Sequence, residues 1–318
     1  MNFKKPKFWD LKKPNLLAYL LSPLTLLVKL NNLNLNLAHK KKFNEIKTIC
    51  VGNVYLGGTG KTPTTLKIYE LLKKTNLKIV TGKKFYSDHK DEQIILESKS
   101  KLIALDNRIN IIEKAIDDDF DLIIFDDGLQ EKKIDYNIKF VCFDAQNWIG
   151  NGYLIPSGPL REGIESLKKY DGVFLKHNSI NSDTINISSI ISKINPNIKI
   201  FNSYVTIKNK NKFDLANKYL IFSSIGNPSS FKDMLIKNDF KIIEEIVFPD
   251  HYHYRSDDIN KILDKAEKIG AKIITTEKDF VKISDEYKNN INFIEIELNI
   301  PNEEELINFI NSKIYETN

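Results

Sequence analysis

Residues 51–63 read VGNVYLGGTGKTP and stand between an apolar segment and a segment with helical periodicity. Residues 48–51 are typical of a short buried strand, and 62–74 are predicted to form the helix that follows. Glycines allow backbone N–H groups to close around phosphate oxygens, and the N-terminus of the next helix adds positive potential. The order of strand, glycine-rich loop and helix therefore predicts a phosphate-binding loop.

The residue types in this loop suit a nucleotide. We expect Lys61 to neutralise the β- and γ-phosphates and the Thr62 hydroxyl to ligate Mg²⁺. The pattern is divergent, because the position six residues before the lysine, usually glycine, is Tyr55. A glycine-rich turn with a chance lysine is the alternative, and it fits the placement between strand and helix less well. The candidate nucleotide-binding residues are Gly57, Gly58, Thr59, Gly60, Lys61 and Thr62.

An acidic pair follows a second apolar strand. Residues 122–128 read LIIFDDG, so Asp126 and Asp127 lie at the carboxyl end of a predicted buried strand. Ligands of open α/β sheets bind at such ends, and one carboxylate there serves Mg²⁺ in nucleotide-binding proteins. Asp-Asp-Gly is also an ordinary turn sequence, so the pair gains its weight from the phosphate loop upstream.

Apolar strands alternate with helices along the rest of the chain, which predicts parallel sheets covered on both faces. We predict an α/β fold of two α/β/α sandwich domains, the first a P-loop NTPase-like parallel sheet. The polar stretch VTIKNKNK at 205–212 interrupts the alternation, so the predicted division is 1–47, 48–205 and 206–318. The further predicted strands are 77–81, 122–125, 140–143, 219–223, 241–247, 272–275 and 293–298, and the further helices are 109–116, 231–237, 256–268 and one from 303.

The composition is that of a folded soluble protein. The chain has 318 residues, of which 42% are hydrophobic and 28% charged, and these values argue against a disordered chain, a fibre or a polytopic membrane protein. The length predicts two domains. Two cysteines, Cys50 and Cys142, cannot form a disulfide framework, and the sequence has no Cys/His cluster for zinc. A reducing, cytoplasmic setting is expected.

Positive charge is concentrated at the amino terminus. Residues 1–47 carry ten lysines against two acidic residues, a net charge of +8, so the rest of the chain carries −3 of the total of +5. A nucleic-acid surface would spread its positive charge over the folded domain, so no nucleic-acid partner is expected.

Residues 15–28 form a charge-free run, NLLAYLLSPLTLLV, between those lysines. As a helix it would be about 21 Å long, shorter than a hydrocarbon core of about 30 Å, and Pro23 would kink it. No small-residue cleavage site of a signal peptide follows. A segment lying in the membrane interface, with lysines on anionic headgroups, and a helix packed on the core remain as interpretations. The flanking lysines favour the membrane surface.

Further motifs occur in a fixed order along nearly the whole chain. They are PKFWD (6–10), DEQIIL (91–96), PSGPLRE (156–162), IGNP (225–228), FPDHYHY (248–254) and TTEKDFVK (275–282). Together with the divergent phosphate loop and DDGLQ (126–130), this set resembles the tetraacyldisaccharide 4′-kinase family, the lipid A kinases of outer-membrane bacteria. Each motif alone is weak, but their order and spacing are highly specific.

The chain departs from the family pattern at several positions. The family's Ser-Arg-Gly-Tyr-Gly segment should fall near Thr81, where this chain reads TGKKFYSDHKDE. The usual proline after Asp-Glu is Gln93, the usual histidine after Asp-Asp-Gly-x-Gln is Glu131, and Asp-His-His becomes DHYH at 250–253. The first departure bears on substrate-side contacts more than on nucleotide binding.

The resemblance implies transfer of the ATP γ-phosphoryl group to the 4′-hydroxyl of tetraacyldisaccharide 1-phosphate, making lipid IVA. By its match to the family motif, Asp91 is the candidate base, and His251, from the second predicted domain, would pair with it and orient it. Lys61 completes the catalytic set, and His253 is the alternative to His251. A solvated acid for Asp91 and a structural Asp-His turn for His251 are the competing interpretations.

The remaining motif residues receive weaker assignments. Glu92 is a further candidate Mg²⁺ ligand beside Thr62, Asp126 and Asp127. Arg161 is a candidate contact for the substrate 1-phosphate. Residues 275–279 are interpreted as ordinary helix capping, without chemistry.

The expected cofactors are ATP and Mg²⁺, and the expected partners are the lipid disaccharide and the cytoplasmic face of the bacterial inner membrane, to which the chain would bind peripherally. No obligate protein partner is inferred. The alternatives are a membrane-associated P-loop ATPase switch, another P-loop phosphotransferase or ligase, and a non-catalytic ATP-binding partner. The switch class carries a signature lysine just before the glycine pair, and Leu56 stands there.

Overall fold

The computed structural model describes residues 5–37, 39–86, 90–131, 133–177 and 182–315. Their contacts divide them into two compact units. The larger unit contains the described residues within 5–86, 96–205 and 298–315, and the smaller unit contains those within 90–95 and 206–297.

The strands and helices alternate through most of the chain. The strands are β1 Lys47–Gly52, β2 Ile79–Lys84, β3 Leu102–Leu105, β4 Leu122–Asp126, β5 Ile138–Asp144, β6 Gly172–Lys176, β7 Lys199–Ile207, β8 Lys218–Ser223, β9 Lys241–Val247, β10 Lys272–Thr276, β11 Asn292–Ile294 and β12 Ile296–Asn299. The helices are α1 Leu16–Leu21, α2 Thr25–Leu37, α3 Lys61–Leu72, α4 Lys90–Lys99, α5 Arg108–Asp117, α6 Ser182–Ile194, α7 Pro228–Lys237, α8 Ser256–Lys268, α9 Glu277–Phe280, α10 Asp285–Lys288 and α11 Glu303–Tyr315.

An eight-stranded sheet forms the centre of the larger unit, with the strand order β12-β7-β6-β5-β1-β4-β2-β3. Strands β1 to β7 pair in parallel. Alternate residues of β1 enter opposite cores: Ile49 and Val51 pack with α3 and α11, whereas Cys50 packs with α5. Helices therefore cover both faces of the sheet, as the continuously apolar strands predict.

A four-stranded sheet with the order β11-β10-β8-β9 forms the centre of the smaller unit, and its strands are also parallel. Leu220 and Phe222 of β8 pack with α8 on one face, and Tyr219 and Ile221 pack with α7 on the other. The predicted class, α/β with two sandwich domains, is confirmed by these two sheets.

The chain returns to the larger unit near its carboxyl terminus, whereas the sequence predicted one domain over 206–318. The apolar run predicted as a single strand, 293–298, is two strands that join different sheets. Leu306, Ile310 and Ile314 recur every four residues along α11, so one apolar face of this helix packs into the core beside β1. Burial of that face explains why α11 belongs to the larger unit.

Candidate active site

Two glycines with positive φ shape the phosphate loop. Gly57 has φ of 146° and Gly60 has φ of 88°, values that side-chain-bearing residues rarely adopt. Gly60 is the N-cap of α3, and no side chain caps this helix start. Lys61 and Thr62 are the first two residues of the helix. The backbone at this point therefore offers a helix N-terminus of the kind that binds phosphate.

Side chains support the loop where the usual early glycine is missing. Tyr55 is 3% exposed, and its hydroxyl contacts the Asp10 carboxylate and lies 3.1 Å from Lys5 Nζ. Asn53 Nδ2 donates to the backbone oxygens of Tyr55, at 2.6 Å, and Gly57, at 3.2 Å. The tyrosine is therefore a packing residue that ties the amino-terminal PKFWD motif to the loop.

Asp126 lies at the end of β4 and is 1% exposed. Its Oδ2 accepts hydrogen bonds from Thr62 Oγ1 at 3.0 Å and from Lys83 Nζ at 2.6 Å. Thr65 Oγ1 lies 3.5 Å from Oδ1. Lys83 belongs to the segment TGKKFYSDHKDE, which stands where the family pattern has Ser-Arg-Gly-Tyr-Gly. In this chain a buried lysine therefore pairs with the acidic residue at the end of β4.

Asp127 faces Lys61 of the predicted phosphate loop. Its Oδ2 lies 3.8 Å from Lys61 Nζ and 3.5 Å from an Arg161 guanidinium nitrogen, and its backbone oxygen accepts from Arg108 Nε at 3.1 Å. Burial alone would raise the pKa of the Asp127 carboxyl, but these cations together with Lys83 hold it below its ordinary value. An ionised carboxylate therefore stands beside the lysine of the phosphate loop.

Arg161 and the residue after it form a polar network at this strand end. Arg161 also lies 3.3 Å from Gln130 Oε1, and Gln130 Nε2 donates to Glu162 Oε1 at 2.9 Å. Glu162 is 5% exposed and accepts from the Tyr170 hydroxyl at 3.1 Å. The Arg161 side chain thus contacts Asp127 and Gln130, and a contact with a substrate phosphate stays a prediction.

The oxygen atoms at this edge of the sheet fit Mg²⁺ bound together with a nucleotide. Mg²⁺ prefers hard oxygen ligands, keeps several waters, and is held by one or two carboxylates plus substrate phosphates. The Thr62 hydroxyl and the carboxylates of Asp126 and Asp127 supply such atoms. Among the described residues no group of three or more His, Cys, Asp or Glu side chains forms a metal cage, and a site completed by phosphate needs none.

The smaller unit brings Asp91 and His251 together. His251 Nδ1 lies 3.2 Å from Asp91 Oδ2, and Asp91 is 3% exposed. Burial alone would raise the pKa of Asp91, but the His251 hydrogen bond and the Lys278 ammonium lower it below its ordinary value. His253 is exposed. Asp91 was predicted to lie in the first domain, but residues 90–95 cluster with the smaller unit.

Lys278 and Lys282 contact this pair and were missed by the sequence analysis. Lys278 Nζ lies 3.1 Å from Glu92 Oε1 and 3.3 Å from His251 Nε2, and Lys282 Nζ lies 3.9 Å from Asp91 Oδ2. Glu92, a predicted Mg²⁺ ligand, is thus in an ion pair. Thr276 caps α9 as predicted. Because α9 ends at Phe280 and Lys282 lies beyond it, helical spacing gave no signal for the shared position of the two lysines.

The amino-terminal helices α1 and α2 have one packed face and one exposed face. Ala18, Thr25, Val28 and Asn32 form the packed face: Ala18 and Thr25 are buried, Val28 joins a cluster with Leu154, and Asn32 Nδ2 donates to the Arg161 oxygen at 2.9 Å. The exposed face carries large apolar side chains, namely Leu16, Leu17, Tyr19, Leu20, Leu24, Leu26, Leu27, Leu30 and Leu33.

The helical segment extends beyond the charge-free run. Leu16–Leu33 is long and apolar enough to cross a membrane by length and composition, and 11% of it is buried. The charge-free run alone is too short to cross a membrane because it ends before Lys29, whereas the helical segment continues to Leu37.

Comparisons with known proteins identify close relatives of this chain. The family model described as LpxK, tetraacyldisaccharide-1-P 4′-kinase, matches residues 16–81 and 79–315. A tetraacyldisaccharide 4′-kinase of Pelagibacter ubique is 44% identical over 97% of both chains, and one of Rickettsia akari is 34% identical over 98% of this chain and 96% of its own. The crystal structure of LpxK from Aquifex aeolicus in complex with ATP has a TM-score of 0.69 at 20% identity and covers 94% of this chain and all of its own. That structure confirms the fold.

Proposed function

Because the chain belongs to the tetraacyldisaccharide-1-P 4′-kinase family, we propose that it transfers the γ-phosphoryl group of ATP to the 4′-hydroxyl of tetraacyldisaccharide 1-phosphate, making lipid IVA. The observation that carries the proposal in this chain is the phosphate loop, with Lys61 beside Asp127 and Thr62 bonded to Asp126. The match over nearly the whole length favours this kinase over an ATPase switch or a ligase for a soluble acid.

The loop and the acidic strand end supply what phosphoryl transfer needs from a protein. Such a reaction depends mainly on positioning and on neutralising charge. We assign Lys61 to the β- and γ-phosphates and the loop N–H groups to their oxygens. Bound Mg²⁺ would neutralise phosphate charge, and Thr62, Asp126 and Asp127 would hold it. Glu92 belongs to the cluster of Asp91, His251 and Lys278 in the smaller unit and is not assigned to Mg²⁺.

Asp91 is the proposed general base for the 4′-hydroxyl. Its lowered pKa keeps it ionised and able to accept a proton near neutral pH. His251, hydrogen-bonded to the carboxylate, would hold it in the reactive orientation. We do not assign His253 a role, since its side chain is exposed.

We propose that the amino-terminal segment lies on the cytoplasmic face of the inner membrane, where a lipid substrate would be found. One face of α1 and α2 is packed on protein, so the segment is held along its length, which favours lying in the interface over crossing it. The exposed leucines would enter the acyl boundary, and the flanking lysines would bind anionic headgroups.

Substitution tests this membrane proposal better than deletion, because Trp9 and Ala18 are buried. Leu16, Leu20 and Leu27 are 74%, 67% and 69% exposed, and changing all three to Asn should release the protein from anionic vesicles. Ile185→Asn, at an α6 side chain that is 64% exposed, is the matched control and should still bind. Vesicle binding by the triple variant equal to that of the control would overturn the proposal.

The kinase proposal is tested by phosphoryl transfer with purified protein, ATP, Mg²⁺ and detergent-dispersed disaccharide 1-phosphate. Lys61→Ala and Asp91→Ala should both lose transfer. Lys61→Ala should also weaken ATP binding, whereas Asp91→Ala should leave it intact, because only the lysine is assigned to phosphate. ATP binding by the native protein without transfer to the lipid would contradict the proposal.

A further inference from the structure

Lys278 lies at the meeting point of a histidine and three carboxylates in the smaller unit. Its Nζ is 3.1 Å from Glu92 Oε1, 3.3 Å from His251 Nε2, 3.8 Å from Asp91 Oδ2 and 3.9 Å from Asp250 Oδ1. The side chain is 20% exposed. This lysine therefore touches both members of the proposed Asp91–His251 pair.

We propose that Lys278 is a positioning residue that fixes the tautomer of His251 and so the hydrogen bond to Asp91. This inference rests on the proposed function, because it concerns the orientation of the proposed base. Lys278 itself takes no part in the transfer of the proton.

The chemistry of the two side chains dictates which histidine nitrogen carries the proton. An ammonium group has three N–H donors and no acceptor, so His251 Nε2 must offer its lone pair to Lys278. The proton of the neutral ring then resides on Nδ1, which donates to Asp91 Oδ2 at 3.2 Å. In the other tautomer Nε2–H would meet the ammonium, with the Asp250 carboxylate 3.9 Å away and beyond hydrogen-bond distance. The bare Nδ1 would then face the Asp91 carboxylate, which is also repulsive.

The surrounding charges keep Lys278 in its donor form. Burial alone would lower the pKa of Lys278, but the carboxylates of Glu92, Asp250 and Asp91 raise it well above its ordinary value. Lys282 lies 3.9 Å from Asp91 but forms a 2.8 Å ion pair with Asp279. Glu92 faces the pair from α4, Asp250 from the loop before α8, Lys278 from α9 and Lys282 from the turn after it.

A network of hydrogen bonds holds α9 in place, so the position of Lys278 is well defined. Asp279, the next residue, is fully buried and accepts from the Ser224 backbone N–H at 3.0 Å and the Tyr254 hydroxyl at 2.9 Å. Thr276 caps the helix by accepting from the Asp279 N–H at 3.0 Å. Within the TTEKDFVK motif, hydrogen bonds thus hold Asp279 in place, and Lys278 beside it contacts His251.

Three variants test the donor-only character of Lys278. Lys278→Arg keeps the charge and offers only N–H donors, Lys278→Gln offers a donor and an acceptor without the charge, and Lys278→Met offers neither. Lys288→Met is the matched control, because Lys288 forms a 2.7 Å ion pair with Asp285 in the same unit without contact to the pair. All variants are compared by melting temperature so that unfolding is recognised.

The readout is ¹⁵N NMR of histidine-labelled protein in the absence of substrate, with the His251 signals assigned by a His251→Gln variant. The native protein should show His251 protonated at Nδ1 and unprotonated at Nε2 near neutral pH. Lys278→Arg should retain this tautomer in full. Lys278→Met and Lys278→Gln should lower the fraction of rings protonated only at Nδ1, because Asp91 alone then favours that form and the glutamine amide can accept from Nε2–H as well as donate to Nε2. In the kinase assay Lys278→Met should lower kcat about tenfold or more, a part of the roughly 10²- to 10⁴-fold contribution of a general base, with the KM for ATP unchanged.

Two results would overturn the inference. One is a native His251 protonated at Nε2, and the other is a folded Lys278→Met variant that keeps the native tautomer and kcat. Failure of the kinase proposal is a separate result, because the tautomer is read from the protein alone, whereas that proposal fails only if the native protein does not phosphorylate the lipid. If Lys278→Met does not fold, the native spectrum and the Lys278→Gln variant still decide.

Discussion

Replacing Lys83 by methionine should destabilise the larger unit through one buried charge. Lys83 Nζ lies 2.6 Å from Asp126 Oδ2, and the two side chains are 7% and 0% exposed. Methionine keeps most of the apolar stem and removes the ammonium, so the main consequence is a buried carboxylate without its cation.

The burial of the pair sets the size of the effect. Removing one partner of a buried ion pair costs about 3–5 kcal/mol. Asp126 keeps its hydrogen bond from Thr62 at 3.0 Å, so we expect the lower end of this range, about 3 kcal/mol. For a unit of this size the corresponding fall in melting temperature is about 6–12 °C. Circular dichroism during heating and in urea measures both quantities.

Two further variants test the reasoning. Lys114 pairs with Asp118 at 2.6 Å, but the two side chains are 54% and 39% exposed, so Lys114→Met should cost much less stability than Lys83→Met. The double variant Lys83→Met with Asp126→Asn should recover part of the loss, because no unpaired charge then remains buried. If Lys83→Met costs no more than Lys114→Met, the buried-pair account of the acidic strand end is wrong.

Three other predictions concern the loop, acid stability and the metal. Gly60→Ala should weaken ATP binding several-fold in titration calorimetry, because φ of 88° costs a residue with a Cβ about 1–2 kcal/mol; unchanged affinity would contradict the assigned loop shape. Burial alone would raise the pKa of Asp279, but Lys282 and the neighbouring hydroxyls lower it, so its stabilisation is present above about pH 4 and is lost as pH falls. Asp279→Asn should therefore unfold more easily in urea at pH 7 yet lose less stability than the native protein between pH 5 and 3, and an equal loss would refute this. Adding EDTA should abolish the rise in melting temperature that ATP and Mg²⁺ produce together, and a rise that survives EDTA would argue against metal-dependent binding.

The sequence predicted the parts of the fold that have strong periodic or apolar signals. The apolar strand LIIF and the loop GGTGKT predicted the centre of the large sheet. Strands β1 and β4 lie there and are buried on both faces. Strand β3 was missed because it is short and half-exposed. Strands β6 and β7 and helix α6 were not predicted either, although β6 is apolar and buried. Helix α4 was missed because it is rich in polar residues, and it carries Asp91.

Long-range pairing explains the remaining differences. Strand β7 runs into the polar stretch as far as Ile207, beyond its pairing with β6 at Lys199–Ser203, and it lies beside β12 in the sheet. Strand β11 pairs in the four-stranded sheet, whereas β12 lies in the eight-stranded sheet. Composition does not reveal which strands pair, so the sequence predicted a single strand. The contacts of Lys278 and Lys83 were unpredicted for the same reason, because each meets a carboxylate far away in the sequence.

The most direct test of the account is the position of the phosphate on the lipid product. Native protein is incubated with ATP, Mg²⁺ and detergent-dispersed tetraacyldisaccharide 1-phosphate, beside the Lys61→Ala variant, and the product is analysed by mass spectrometry and ³¹P NMR. We predict one added phosphate, located on the 4′-oxygen, with the native protein and none with the variant. A native protein that binds ATP but leaves the lipid unchanged, or adds phosphate elsewhere, would contradict the account.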